Sequence, residues 1–108
     1  MKLLHKEDTK IIREFLKIPI PKYIREYNNE LFDLMDCYEV AFTFANDILR
    51  GRKINPHTSP WGNGRSVIFD PCYTALLLDI KRSNPGTDIE NYCRVFLDVL
   101  NIFRLYFV

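Results

Sequence analysis

Apolar residues recur at helical intervals along most of the chain, and proline or glycine falls at the breaks between these stretches. Between Lys6 and Lys17 they are spaced as on one helix face, and the pattern ends at Pro19 and Pro21, which lack an amide donor. A second helix is predicted from Pro21 or Lys22, because proline is well tolerated in a first helical turn.

The longest apolar pattern runs from Glu30 to Arg50 and predicts a helix of more than five turns, followed by Gly51 as a C-cap glycine. Val40 and Phe44 lie outside the centre of its apolar stripe, so the helix is apolar over a wide arc. We expect it to be central in the fold or to share a face with a partner. The predicted stripe consists of Leu31, Leu34, Met35, Tyr38, Ala41, Phe42, Ala45, Ile48 and Leu49.

Residues 51–69 have the composition of a long loop, with three of the four glycines, two prolines and the only tryptophan. Loops of this length in compact domains are often functional. The alternative is an ordered crossover held in place by Trp61.

Two further helices are predicted after this loop. Asp70 and Pro71 form an N-cap and first-turn proline ahead of a helix over Cys72 to Arg82. Thr87 and Glu90 fit a capping box at the start of a last helix, which continues to the end of the sequence. Because residues 105–108 are apolar, we expect them to be buried in the core or against a second subunit.

These elements predict an all-α fold, a compact bundle of four to six helices with one long central loop. With 108 residues and 47% apolar composition, the chain is long enough to form one core as a single domain. The first residues become charged before a signal sequence could develop, and no stretch is long enough for a membrane span. We therefore expect a cytoplasmic protein that does not contact a membrane.

The sequence contains no recognisable metal, cofactor or catalytic motif apart from one short pattern considered below. The three cysteines form no C-x-x-C pair, and we expect all of them to be buried, reduced thiols. Neither a P-loop, a G-x-S-x-G elbow nor a G-x-G-x-x-G turn occurs. We predict no cofactor and no metal ligand.

Charges are segregated along the chain although the net charge is only +1. Residues 1–27 are net basic, residues 28–49 contain five acidic and no basic residues, and residues 50–69 contain four basic and no acidic residues. Asp33, Asp36 and Asp47 are predicted opposite the apolar stripe of the third helix, with Glu39 near its border. A one-signed helix face suggests a basic partner, unless neighbouring elements neutralise it within the fold.

The segment from Arg52 to His57 matches the pattern R-x-x-x-x-H, which resembles the catalytic motif of the helical HEPN ribonucleases. The resemblance implies that Arg52 stabilises a phosphate transition state while His57 acts as a general acid or base. Here a proline directly precedes the histidine in a predicted loop, whereas the family motif lies at a helix start. Trp61 and Arg65 could instead stack on a base or hold an anion, but the near-neutral net charge argues against nucleic acid.

A compact, motif-free helical chain with an acidic face is similar to the small bacterial immunity proteins that neutralise a toxin. That resemblance is to a class and implies binding of a basic toxin domain, such as a nuclease, without catalysis. Two alternatives stay open, an RNA-directed role of the 51–69 loop and a homodimer through the C-terminal helix. The predicted partner contacts are Asp33, Asp36, Glu39, Asp47, Arg52, His57, Trp61 and Arg65.

Overall fold

The computed structural model describes residues 4–28, 33–51 and 70–106, and within these ranges the chain forms helices and no strand. Its radius of gyration is 13.4 Å, close to the value of about 13 Å that is typical of a compact 100-residue domain. The predicted all-α bundle is confirmed. Residues 52–69 of the predicted loop lie outside the described residues. The helices are α1 (Lys6–Lys17), α2 (Lys22–Arg25), α3 (Leu34–Leu49), α4 (Pro71–Ser83) and α5 (Asp88–Tyr106).

Side-chain caps define where three of the helices begin. The Asp33 carboxylate accepts a hydrogen bond from the Met35 amide at 2.9 Å, and the backbone of Asp33 is extended. The predicted start of this helix at Glu30 is therefore wrong, because a residue that caps a helix stands outside it. Asp70 caps α4 in the same way, as predicted, and the Thr87 hydroxyl accepts from the amide of Glu90 at 3.3 Å at the start of α5.

The core is formed around α5, which packs against α1 and α4, while α3 packs against α1 and α2. Aromatic rings connect these layers. Phe15 of α1 lies edge-on to Phe96 of α5 with the ring centroids 5.2 Å apart, and Phe44 of α3 contacts Phe103 of α5 at 6.1 Å. Because large buried rings contribute much of the apolar area, these contacts set the relative positions of the three helices.

The buried face of α3 is rotated from the predicted one. Val40 and Phe44 are buried, whereas Phe42 is 37% exposed and Tyr38 is half-buried. The reason is that α3 meets α5 as well as α1, which draws Phe44 inward and leaves Phe42 at the rim. The stripe that is buried consists of Leu34, Cys37, Val40, Ala41, Phe44, Ala45 and Ile48.

Two burial predictions are corrected. Leu105 is 46% exposed although Phe103 is fully buried, because two residues along a helix turn the side chain by about 200°. Cys72 is exposed at the second position of α4, while Cys37 and Cys93 are buried as expected. Of the described helices, none has the length and apolar character needed to cross a bilayer.

Candidate functional site

The four acidic residues predicted as partner contacts differ in exposure. Asp33 and Asp36 are exposed at the N-terminal end of α3, and Glu39 is half-buried one turn further along. Asp47 is half-buried as well and already has an interaction partner. Relative to the rotated core, Glu39 lies opposite the buried face and not at its border as predicted.

Backbone hydrogen bonds at the start of α3 fix the positions of Asp33 and Asp36. Asp33 is fixed by its hydrogen bond to the Met35 amide, and Asp36 donates its own amide to the Asp33 carbonyl at 3.1 Å. Carboxylates are stabilised at a helix N-terminus by the helix dipole. Both residues therefore support the helix in addition to any contact they make with a partner.

A third carboxylate, that of Asp70, is half-buried at the start of α4. Burial is the main cause that raises the pKa of the Tyr73 hydroxyl, and Cys37, Asp36, Asp70 and Asp33 raise it further. One phenol thus senses three carboxylates from two helix starts. We call the surface formed by Asp33, Asp36 and Asp70 the acidic corner.

Arg104 of α5 is a half-buried cation that acts on Cys37 together with Asp70 and Asp36. Its guanidinium donates a hydrogen bond of 2.6 Å to the Thr74 hydroxyl. Burial raises the pKa of the Cys37 thiol to about 12, and Arg104 opposes that shift while Asp70 and Asp36 add to it. Arg104 and the two carboxylates thus have opposite effects on the same buried thiol.

The acidic corner is not neutralised by direct ion pairing within residues 4–28, 33–51 and 70–106. The ion pairs found there connect Lys22 with Glu26, and Arg94 with Glu14 and Asp98. In the same part of the chain, no three acidic, cysteine or histidine side chains are grouped closely enough to hold a metal ion. What the corner offers is a patch of negative charge on a rigid pair of helix ends.

The other predicted contacts, Arg52, His57, Trp61 and Arg65, lie outside the described residues. The pairing of Arg52 with His57 that the ribonuclease resemblance requires therefore stays a prediction. The same is true of an anion or base site at Trp61 and Arg65.

Sequence reasoning recognised Asp70 only as a cap and did not connect it with the acidic helix. The two segments are separated by the whole of residues 50–69, and no spacing rule relates them. Tyr73 and Arg104 were missed for the same reason.

Comparisons with known proteins add no relative to this description. The chain matches no protein-family model, no curated protein and no solved structure. The fold and its surfaces therefore have to be interpreted from their own chemistry.

Proposed function

We propose that this protein is a recognition module that binds a basic protein partner through the acidic corner and the adjoining surface of α3. The observation that carries this proposal is that Asp33 and Asp36 are exposed at the start of α3 and form no ion pair within the described residues. Like charges held together in this way repel each other, and a cationic partner relieves that repulsion. The partner class is a toxin domain, such as a basic nuclease, with the chain as its bacterial immunity protein rather than an enzyme.

Rigidity and charge are the two properties that suit the corner to such a role. Both helix starts are fixed by side-chain caps, so little conformational entropy is lost when a partner docks. Negative charge on one side of an interface accelerates encounter with a basic surface and discriminates against acidic proteins. Phe42 at the rim of α3 supplies an exposed ring of the kind that anchors interfaces.

The proposed setting is the cytoplasm. Thiols are kept reduced there, and the three cysteines of this chain are unpaired. An immunity protein also has to meet its toxin in the compartment where the toxin acts.

The test uses charge reversal on and off the acidic surface. Asp36→Lys changes the corner without removing either cap, and Asp79→Lys makes the same change at an exposed position of α4. Tagged wild-type protein and both variants are used to capture binding partners from the lysate of cells that express the chain. The affinity for the captured protein is then measured at several salt concentrations.

We expect one stoichiometric basic protein that binds wild type and Asp79→Lys alike, with Asp36→Lys weaker by about tenfold, or about 1.4 kcal/mol. The loss should appear mainly in the association rate and shrink at high salt. Equal affinity of all three proteins for the partner would show that the acidic corner does not contribute to binding. A partner with an acidic surface would contradict the proposal as a whole.

A further inference from the structure

Helix α1 carries four cations in a single row. Lys6, Lys10, Arg13 and Lys17 follow each other at intervals of four, three and four residues. At about 100° per residue these positions fall within an arc of about 60°, and at about 1.5 Å per residue they extend over about 17 Å. We call these four residues the basic row.

The basic row faces solvent. All four residues are exposed, and the opposite side of α1 holds Ile12 and Phe15, which are buried. No ion pair in the described parts of the chain involves any member of the row. Among residues 4–28, 33–51 and 70–106, the row is therefore a line of charges without an ion-pair partner.

The acidic residues of α1 lie outside the row, on one flank and on the core side of the helix. Asp8 accepts a hydrogen bond of 3.4 Å from the His5 amide at the helix start, and Glu14 pairs with Arg94 of α5 at 3.7 Å. Glu7 lies on the same flank of α1 as Glu14. Glu7 and Glu14 lower the positive potential on one flank of α1, whereas the row itself contains no acidic residue.

We propose that the basic row binds the phosphate backbone of a single nucleic-acid strand. Such a strand is a line of regularly repeated negative charges, and each contact with a cation releases condensed counterions. Because the row is one narrow line of charges, it matches a single phosphate backbone. Lysine and arginine contacts with phosphate carry no base preference, so binding is independent of sequence.

The row is less suited to a membrane surface. Amphipathic helices that bind bilayers insert an apolar face, and here that face of α1 is occupied by the core through Ile12 and Phe15. The near-neutral net charge argues against nucleic acid for the chain as a whole, but it matters less for a local row, because salts screen charges more than about 8–10 Å apart. This inference concerns a different helix and the opposite charge from the proposed function, so either can fail without the other.

The experiment compares two double variants, each of which loses two positive charges. Lys10→Gln with Arg13→Gln removes the middle of the row, and Lys81→Gln with Arg82→Gln removes two charges from the last turn of α4. Glutamine has a high helix propensity, so the helices should be retained, and thermal unfolding checks this. Binding to fluorescein-labelled oligouridylate and oligothymidylate is measured by anisotropy over a range of salt concentrations.

We expect the logarithm of the affinity of wild type to fall with the logarithm of salt concentration with a slope of about −2.8, from four contacts with a single strand. Threefold higher salt should then weaken wild type about 20-fold but the row variant only about 5-fold, since its slope is halved. The α4 variant should behave as wild type, and both oligonucleotides should bind.

Three results would overturn this inference. One is no binding of wild type to either oligonucleotide at low salt, and another is an equal slope for the row variant and wild type. The third is row-dependent binding to phosphatidylserine vesicles, or row-dependent self-association, in the absence of oligonucleotide binding. That result would assign the row to a membrane or to a second copy of the chain.

Discussion

The hydroxyl of Tyr92 offers a direct test of how the core is arranged. Tyr92 is 1% exposed, and its hydroxyl has no hydrogen-bond partner in the described structure. Its ring packs between Phe15 and Phe96, with ring centroids 6.3 and 5.9 Å away. Replacement of Tyr92 by phenylalanine keeps these ring contacts and removes only the unsatisfied oxygen.

The expected effect is stabilisation. A buried hydroxyl without a hydrogen bond costs about 1–3 kcal/mol, so Tyr92→Phe should raise the free energy of unfolding by about 1 kcal/mol. With an unfolding entropy of about 2.1 cal/mol/K per residue, 108 residues give an increase in Tm of about 4 °C. This change has the opposite sign from most core substitutions, which destabilise.

Urea unfolding with fluorescence and circular dichroism measures the difference, and the m-value should not change. Tyr23→Phe is the matched control, because the same oxygen is lost from a side chain that is 49% exposed, and its stability should stay within about 0.5 kcal/mol. If Tyr92→Phe instead lowered stability by 1 kcal/mol or more, the hydroxyl would have a hydrogen-bond partner and the reasoning would be refuted.

Two predictions concern the thiols. In the native protein a thiol reagent should label Cys72 and spare the buried Cys37 and Cys93, and labelling of all three thiols would contradict their burial. Because a hydrogen bond to Asp70 raises the pKa of Cys72, Asp70→Asn should speed the labelling of Cys72. Burial also raises the pKa of Cys37 to about 12 and of Cys93 to about 11, from 9.0, so the unfolded chain loses these protons first. Stability should therefore be complete below about pH 9 and decline as the pH rises toward 11. Urea unfolding across this pH range measures the decline in stability, which should be shallower in Cys37→Ala. A free energy of unfolding that does not depend on pH would contradict the raised pKa values of Cys37 and Cys93.

Much of the helical architecture is encoded locally. The limits of α1, the caps at Asp70 and Thr87, and the glycine at the end of α3 were predicted because each depends on residues within one or two turns. Gly51 has a φ of +70°, a left-handed conformation that favours glycine, as expected of a residue that ends a helix.

The candidate site was only partly predictable. Asp33, Asp36 and Glu39 were identified from the absence of basic residues over 28–49, and Asp33 and Asp36 are exposed. Asp70 lies more than 30 residues further along the chain, and its effect on Tyr73 together with Asp33 and Asp36 depends on the packing of the helices. The spacing of the basic row was readable in the sequence, but its exposure depends on which side of α1 the core covers.

Periodicity and capping depend on neighbouring residues, so the sequence by itself determines most helix limits and the segregation of charge. The rotation of α3, the exposure of Cys72 and Leu105, and the unsatisfied hydroxyl of Tyr92 depend on helices distant in sequence. Those helices compete for the same core volume, and a close-packed interior admits only some of the apolar side chains that each pattern offers. Which ones are buried is settled by packing against the neighbours, and the surface chemistry follows from what is left outside.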